Sequence, residues 1–346
     1  MAPGIVPVAH ACSTMLTPAN DDPTMDGARR NPRGRYQNRY PHTRHGRRDY
    51  LRMLTELLPA RRRGTPPETQ PVETASNGTD RLVWLGHSSY LIEIDGKRLI
   101  TDPHLTQRAS PLPFGEPKRF QPPAMSLDTL PKIDGVLLSH NHYDHLDAAT
   151  VQALAQRDAP WFAVPLGVGD WFARRGIGRV TELDWWQQHD FDGVPVHCVP
   201  AQHFSGRSAS DTNRTLWCGL IAELGGRKIY FAGDTGYSDD FKDIGRRLGP
   251  IDVALIPIGA YEPRWFMAPM HVNPEEAVQI HLDVRAKVSL AMHWGTFRLT
   301  TEPVDEPPRR LAAARAAAGL EERSFQVLLP GESRTLAELL GADPQD

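Results

Sequence analysis

The stretch LLSHNHYDHLD, residues 137–147, constrains this chain more than any other. It sets His140, His142, Asp144 and His145 within six positions, spaced H-x-H-x-D-H, directly after an apolar run. GVLL reads as a buried strand, and in extended backbone residues two apart point to the same side. His140 and His142 can therefore face one metal ion. The chain then turns, and Asp144 and His145 can face a second point a few ångströms away. Asp147 stands where the next helix takes its N-cap. Packing asks for no such crowd of donors. Zinc accepts imidazole nitrogen and carboxylate oxygen at about 2.0–2.2 Å, and two ions about 3.5–4 Å apart can clamp both oxygens of a displacement.

Four donors do not fill two shells. Three further candidates close apolar strands elsewhere: His203 in VHCVPAQH, Asp234 in IYFAGD and His293 in VSLAMH. Strand ends supply the rigidity that metal geometry needs. With Asp234 bridging, His140, His142 and His203 complete one shell, and Asp144, His145 and His293 the other. A shared hydroxide would finish both.

From residue 81 onward the pattern is regular. RLVWLGHSSYLIEIDGKRLITDP predicts three strands with a tight hairpin at Asp95-Gly96. Apolar runs at GVLLSH, WFAVP, VPVHCVPAQH, TLWCGLIAEL, RKIYFAGD, DVALIPIG, KVSLAMH and SFQVLLP read as further strands. Helical stretches fall over 147–157, 168–175, 239–248, 274–284 and 307–318. Asn273-Pro274-Glu275-Glu276 has the marks of a helix start. Strands with interspersed helices imply an α/β class of two packed sheets flanked by helices.

Residues 1–75 differ from the rest. Twelve arginines lie between Arg29 and Arg63, against Asp49 and Glu56. We read this stretch as an Arg/Pro-rich arm, partly disordered, and residues 76–346 as one catalytic domain. Within the arm, RRDYLRMLTELLPARRR predicts a short amphipathic helix whose apolar stripe is Tyr50, Leu51, Met53, Leu54, Leu57 and Leu58. A basic element of this kind suits an anionic lipid surface. Met25 is an alternative start. The net charge of −3 gives no global field for a nucleic acid. No run reaches the roughly 18–20 apolar residues of a membrane span. The three cysteines form no C-x-x-C, so the reading is cytoplasmic, with peripheral contact at the inner membrane surface.

These motifs resemble the metallo-β-lactamase superfamily. SHNHYDHLD, PAQHFSGR, YFAGDTGY, IPIGAYEPRWFM, HVNPEEAV and HWGTF resemble, within it, the N-acylphosphatidylethanolamine-hydrolysing phospholipase D family. The resemblance runs over residues 81–300. It implies an αβ/βα sandwich of two mixed sheets, two zinc ions on His140, His142, Asp144, His145, His203, Asp234 and His293, and phosphodiester hydrolysis. A metal-bridging hydroxide would attack a phospholipid-like substrate, releasing an N-acylethanolamine and phosphatidic acid. Iron or manganese could stand in for zinc, and relatives form homodimers. Asp144 and Asp234 would serve catalysis as well as metal binding. The resemblance sets His271, in MAPMHVNPEEAV, at the substrate phosphate as a contact or proton donor. Asp102 would orient a ligand histidine rather than bind metal, and His87 is either a partner of the same kind or a satisfied core residue. Tyr261, Arg264 and Phe114 are candidates to line the substrate pocket. His189, His197 and His281 read as structural. Two alternatives stay open: a metal-dependent hydrolase of another ester, lactone or phosphodiester, and a non-catalytic binding module that keeps metal for structure.

Overall fold

The computed structural model describes residues 27–43, 45–57, 64–73, 78–112, 114–208 and 210–341. Met25, Leu58 and the basic run 61–63 lie outside them, as do the side chains of Leu54 and Leu57.

Strands β1 (Arg29–Arg30) and β2 (Tyr36–Gln37) pair antiparallel, and helix α1 (Arg47–Leu57) follows. The first large sheet holds β3 (Arg81–Gly86), β4 (Ser89–Ile94), β5 (Lys97–Thr101), β6 (Gly135–Leu137), β7 (Trp161–Pro165) and β8 (Val180–Leu183). The second holds β9 (Gln188–Phe191), β10 (Val194–Val199), β11 (Gly219–Leu224), β12 (Arg227–Phe231), β13 (Ile251–Pro257), β14 (Ala286–Met292) and β15 (Phe325–Gln326). Finally β16 (Ser333–Thr335) returns to the first sheet beside β3.

The sheet orders are 16-3-4-5-6-7-8 and 15-14-13-12-11-10-9. In the first, pairings from β16 to β5 are antiparallel and those from β5 to β8 parallel. The second repeats the scheme: antiparallel from β9 to β12, parallel from β12 to β15. Helices α2 (Ala148–Arg157), α3 (Gly169–Ala173), α4 (Asp240–Arg247), α5 (Arg264–Met267), α6 (Pro274–Asp283), α7 (Glu306–Ala317) and α8 (Leu336–Leu340) complete the αβ/βα sandwich.

Two-residue alternation explains why strands such as β3 read as continuous apolar runs. Leu82 and Trp84 enter the core between the sheets, while Val83 and Leu85 enter a second core on the opposite face. The same split divides Trp161 and Ala163 from Phe162 and Val164 on β7.

Within the expected arm, residues 27–43 pack onto the domain. Tyr36 is only 1% exposed and belongs to the core between the sheets. Arg39 Nη1 pairs with Asp240 at 2.6 Å and with Asp243 at 3.3 Å. The segment is polar enough to look disordered, but one aromatic and one ion pair fix it. Helix α1 buries Met53 against Phe266 and Met267, while Tyr50 and Leu51 stay 49% and 64% exposed. Among the described residues no helix is long and apolar enough to cross a membrane.

Candidate metal centre

Every proposed ligand stands beyond the carboxyl end of a strand. His140 lies three residues past β6, Asp234 three past β12, and His293 directly after β14. These three strands lie in the parallel parts of their sheets, so their carboxyl ends open on one side. His203 lies four residues past β10. Gly233 makes the approach of Asp234 feasible. Its φ is +62°, and a Cβ there would meet Ser139 Cβ at 2.6 Å and Cys218 O at 2.9 Å. Three non-glycine residues at the site also take left-handed backbone: His87 (φ 54°), Asp102 (φ 29°) and His293 (φ 57°). Such strain gathers where surrounding structure holds a side chain to a task.

The structure brings all seven candidates together. Asp234 Oδ2 lies 3.0 Å from His145 Nε2, 3.1 Å from His293 Nε2 and 3.9 Å from His203 Nε2. Asp144 Oδ2 lies 3.4 Å from His145 Nε2 and 3.7 Å from His293 Nε2. His142 Nδ1 is 2.8 Å from His140 Nε2 and 3.3 Å from His203 Nε2. A tetrahedral ion with bonds near 2.0–2.1 Å spaces its donors by about 3.3 Å, the range found here. His145 Nε2, His293 Nε2 and Asp234 Oδ1 are buried without any hydrogen-bond partner. Buried polar atoms are paired as a rule. Converging orphans of metal-ligating chemistry fit a metal.

The electrostatics agree. Burial would raise Asp144 and Asp234, but His145 and the neighbouring histidines together outweigh it, and both stay well below the usual carboxylate range. Burial would lower His145 and His293, yet Asp234 foremost holds His145 well above its ordinary value and lifts His293 to about 9. Burial pushes His142 down to about 3 and His203 to about 4, and it lowers His140 as well. Neutral imidazoles are the form that ligates. The donor set is thus a neutral trio beside two buried carboxylates that call for positive charge.

Partners behind the ligands select which nitrogen faces inward. Nδ1 of His145 contacts Asp102 Oδ2 at 2.6 Å, and Nδ1 of His203 contacts the Met270 carbonyl at 2.8 Å. Asp102 also accepts from Ser139 N at 2.7 Å and from Ser139 Oγ at 2.5 Å. Ser139 Oγ is 2.9 Å from His140 Nδ1. The sequence reading misses Ser139, although its place before His140 was the available signal. His87 Nε2 lies 3.1 Å from Asp144 Oδ2 and shares a donor cluster with Asp144, His145 and His293. His271 is 8% exposed, with Nε2 4.0 Å from Asp234 Oδ2 and Nδ1 unpaired. Asp147 holds the N-cap position of α2 without an N-cap bond from its side chain; its Oδ2 accepts from Thr150 Oγ1 at 2.5 Å and Thr106 N at 3.2 Å.

The structure places the three pocket candidates apart from the ligand cluster's own contacts. Tyr261 is fully buried and donates its hydroxyl to Glu306 at 2.7 Å under the Arg310 guanidinium. Arg264 donates to both carboxylate oxygens of Glu276 at 2.9 Å and to the His271 carbonyl at 2.8 Å, which ties α5 to the start of α6. Phe114 is 78% exposed at the surface. Tyr143 and Leu146, which flank the ligands in sequence, line a cleft of about 630 Å³ together with Arg108, Asp147, Arg175 and Arg207, whereas His87 and His293 line a separate, smaller pocket with Trp294 and Phe297. His281 contacts Ser289 Oγ at 2.8 Å, His197 contacts Glu223 at 2.9 Å, and His189 packs on Phe191.

Comparison with known proteins bears on this geometry. The family model described as Beta-lactamase superfamily domain matches residues 97–294. The chain is 44% identical over 263 residues to N-acyl-phosphatidylethanolamine-hydrolyzing phospholipase D 1 of Caenorhabditis elegans, covering 72% of this chain and 74% of that protein. It is 36% identical over 249 residues to the mitochondrial N-acyl-phosphatidylethanolamine-hydrolyzing phospholipase D of Saccharomyces cerevisiae, covering 70% and 53%. Among solved structures, Igni18, a metallo hydrolase from Ignicoccus hospitalis, superposes with a TM-score of 0.57 at 24% identity, covering 74% of this chain and 98% of that one.

Proposed function

Because the chain belongs to the β-lactamase superfamily, as a metal-dependent hydrolase, we propose that it is a dinuclear zinc phosphodiesterase of the N-acylphosphatidylethanolamine phospholipase D type. It would cleave a phospholipid-like diester to an N-acylethanolamine and phosphatidic acid. The observation that carries this reading is the position of Asp234 Oδ2, within 3.9 Å of the Nε2 atoms of His145, His203 and His293. One carboxylate there can serve two sites.

His140, His142 and His203 would hold one ion with Asp234, and Asp144, His145 and His293 the other. Bound zinc would supply an acidified water and neutralise phosphoryl charge. The chain's own groups set the rest. Burial keeps the His271 imidazole neutral, so its remaining N–H can donate a hydrogen bond to a phosphoryl oxygen, while acting as proton donor to the leaving alkoxide would require the substrate's charge to restore its second proton. Arg108, Arg175 and Arg207 put positive charge along the neighbouring cleft, which favours an anionic ester over a neutral one. Exposed Tyr50, Leu51, Leu112 and Phe114 support contact with a lipid surface.

The test is turnover of bis-p-nitrophenyl phosphate by the zinc-loaded protein, with Asp234→Asn as control. Phosphodiester cleavage lost in the variant is expected. Cleavage of carboxylic esters alone would move the function to an esterase or lactonase. No turnover with two zinc ions bound would leave a structural metal site.

A further inference from the structure

We infer that Asn38 is a positioning residue for His203, so that the N-terminal segment is part of the metal site. The inference rests on His203 being a ligand in the reading above. His203 stands outside any strand, four residues beyond β10. The β-bridge beside it, Gln202 with Gly236, stops one residue short of His203, and a ligand on such a loop needs outside support.

Asn38 supplies that support. Its Nδ2 donates to the His203 carbonyl at 2.9 Å, and its Oδ1 accepts from His203 N at 3.1 Å. The amide thus imitates one rung of a β-ladder. The same Oδ1 accepts from Trp217 Nε1 at 2.9 Å, and that buried indole also donates to the Ala201 carbonyl at 2.9 Å. The His203 ring is fixed separately through Nδ1 on the Met270 carbonyl. Backbone donor, backbone acceptor and ring nitrogen are all engaged, which leaves Nε2 directed at His142 and Asp234.

The residue type follows from this chemistry. Asp keeps the acceptor and loses the donor, Gln is one methylene longer, and Leu loses both bonds. Asn38 is delivered by anchors on either side. Tyr36 N donates to the Asn213 carbonyl at 2.8 Å and its ring is buried, while Arg39 pairs with Asp240 and Asp243. None of these anchors touches His203.

The experiment is a zinc titration of the full chain against a chromophoric chelator, for wild type, Asn38→Asp and Arg39→Ala, with thermal unfolding of each metal-free protein alongside. Asn38→Asp keeps the bonds from His203 N and Trp217, so the fold persists. It is expected to weaken one zinc site by about 10–100-fold, the usual effect of losing a group that orients a ligand. Arg39→Ala removes one anchor but keeps both Asn38 bonds to His203, so it is expected to lower the unfolding temperature and to weaken zinc less than Asn38→Asp does. Zinc affinity in Asn38→Asp equal to wild type overturns the inference, and so does an equal loss in Arg39→Ala. Should wild type take a single zinc, the dinuclear reading falls. Weakening of that one ion in Asn38→Asp still supports the role of Asn38, and no weakening overturns it.

Discussion

Nδ1 of His145 lies 2.6 Å from Oδ2 of Asp102, and both side chains are shut off from solvent. The carboxylate also takes both hydrogen bonds of Ser139, so one buried acid organises two neighbouring turns of the site.

That arrangement makes Asp102→Ala informative. The aspartate sits within 4.8 Å of ring nitrogens of both His140 and His145, and its loss frees the His145 ring and leaves Ser139 N unpaired. We expect metal affinity to fall by about 10–100-fold, read by chelator competition. Unaltered affinity would show that His145 needs no such partner.

His140→Ala removes a donor from the neutral trio. Elemental analysis of the purified variant should find one ion or none. Retention of two ions would dismiss the ligand assignment.

Gly233→Ala tests the approach to Asp234. A left-handed alanine costs about 1–2 kcal/mol and the clash with Ser139 a further 1–3 kcal/mol or so. The variant should lose at least about 2 kcal/mol in denaturant unfolding, and metal with it. A protein as stable as wild type, with full metal, would contradict the packing described here.

His104 carries a pH dependence. Its ring is fully buried, neither nitrogen has a hydrogen-bond partner, and burial foremost pushes it down to about 4. The unfolded value is about 6.5. A depressed folded value means that stability is intact above about 6.5 and is lost as pH falls toward 4, by up to about 1.4 kcal/mol per unit. His104→Met should flatten that part of the curve in the chelated protein and raise stability at pH 5. Parallel curves for the two proteins between pH 6.5 and 4 would refute it.

Leu51→Glu combined with Phe114→Glu puts charge on two exposed apolar side chains. If the substrate is reached at a lipid surface, vesicle sedimentation should weaken by at least roughly tenfold, the least that burial of one of the two side chains is worth. Equal sedimentation would remove lipid contact from these positions.

Much of the frame is legible in the sequence because local chemistry dictates it. Asp95 and Gly96 both take φ > 0, at 51° and 69°, as a two-residue hairpin requires. Asn273 and Glu276 form the reciprocal capping pair that their spacing announces. The hairpin from β9 to β10 escapes notice because Gln188, His189 and Asp190 are exposed and polar, although Asp192 and Gly193, at φ 54° and 85°, carry the same turn signal. Strand ends point to His140, Asp234 and His293. For His203 that argument falls short, since four loop residues intervene. Asn38 is invisible beforehand: a side chain that bonds to another residue's backbone imposes no periodicity and needs no partner type. The partners of Tyr261 and Arg264 are hidden for a related reason, since a sequence cannot tell a guanidinium or phenol that faces a ligand from one already claimed by Glu276 or Glu306.

The two sheets repeat one wiring scheme, and each contributes its own share of donors. His140, His142, Asp144 and His145 follow β6 of the first, while His203, Asp234 and His293 follow strands of the second. Any cation seated among them is a rivet through a seam. Prying the halves apart would tear open its coordination sphere, so mechanical cohesion and chemical competence are lost in a single event.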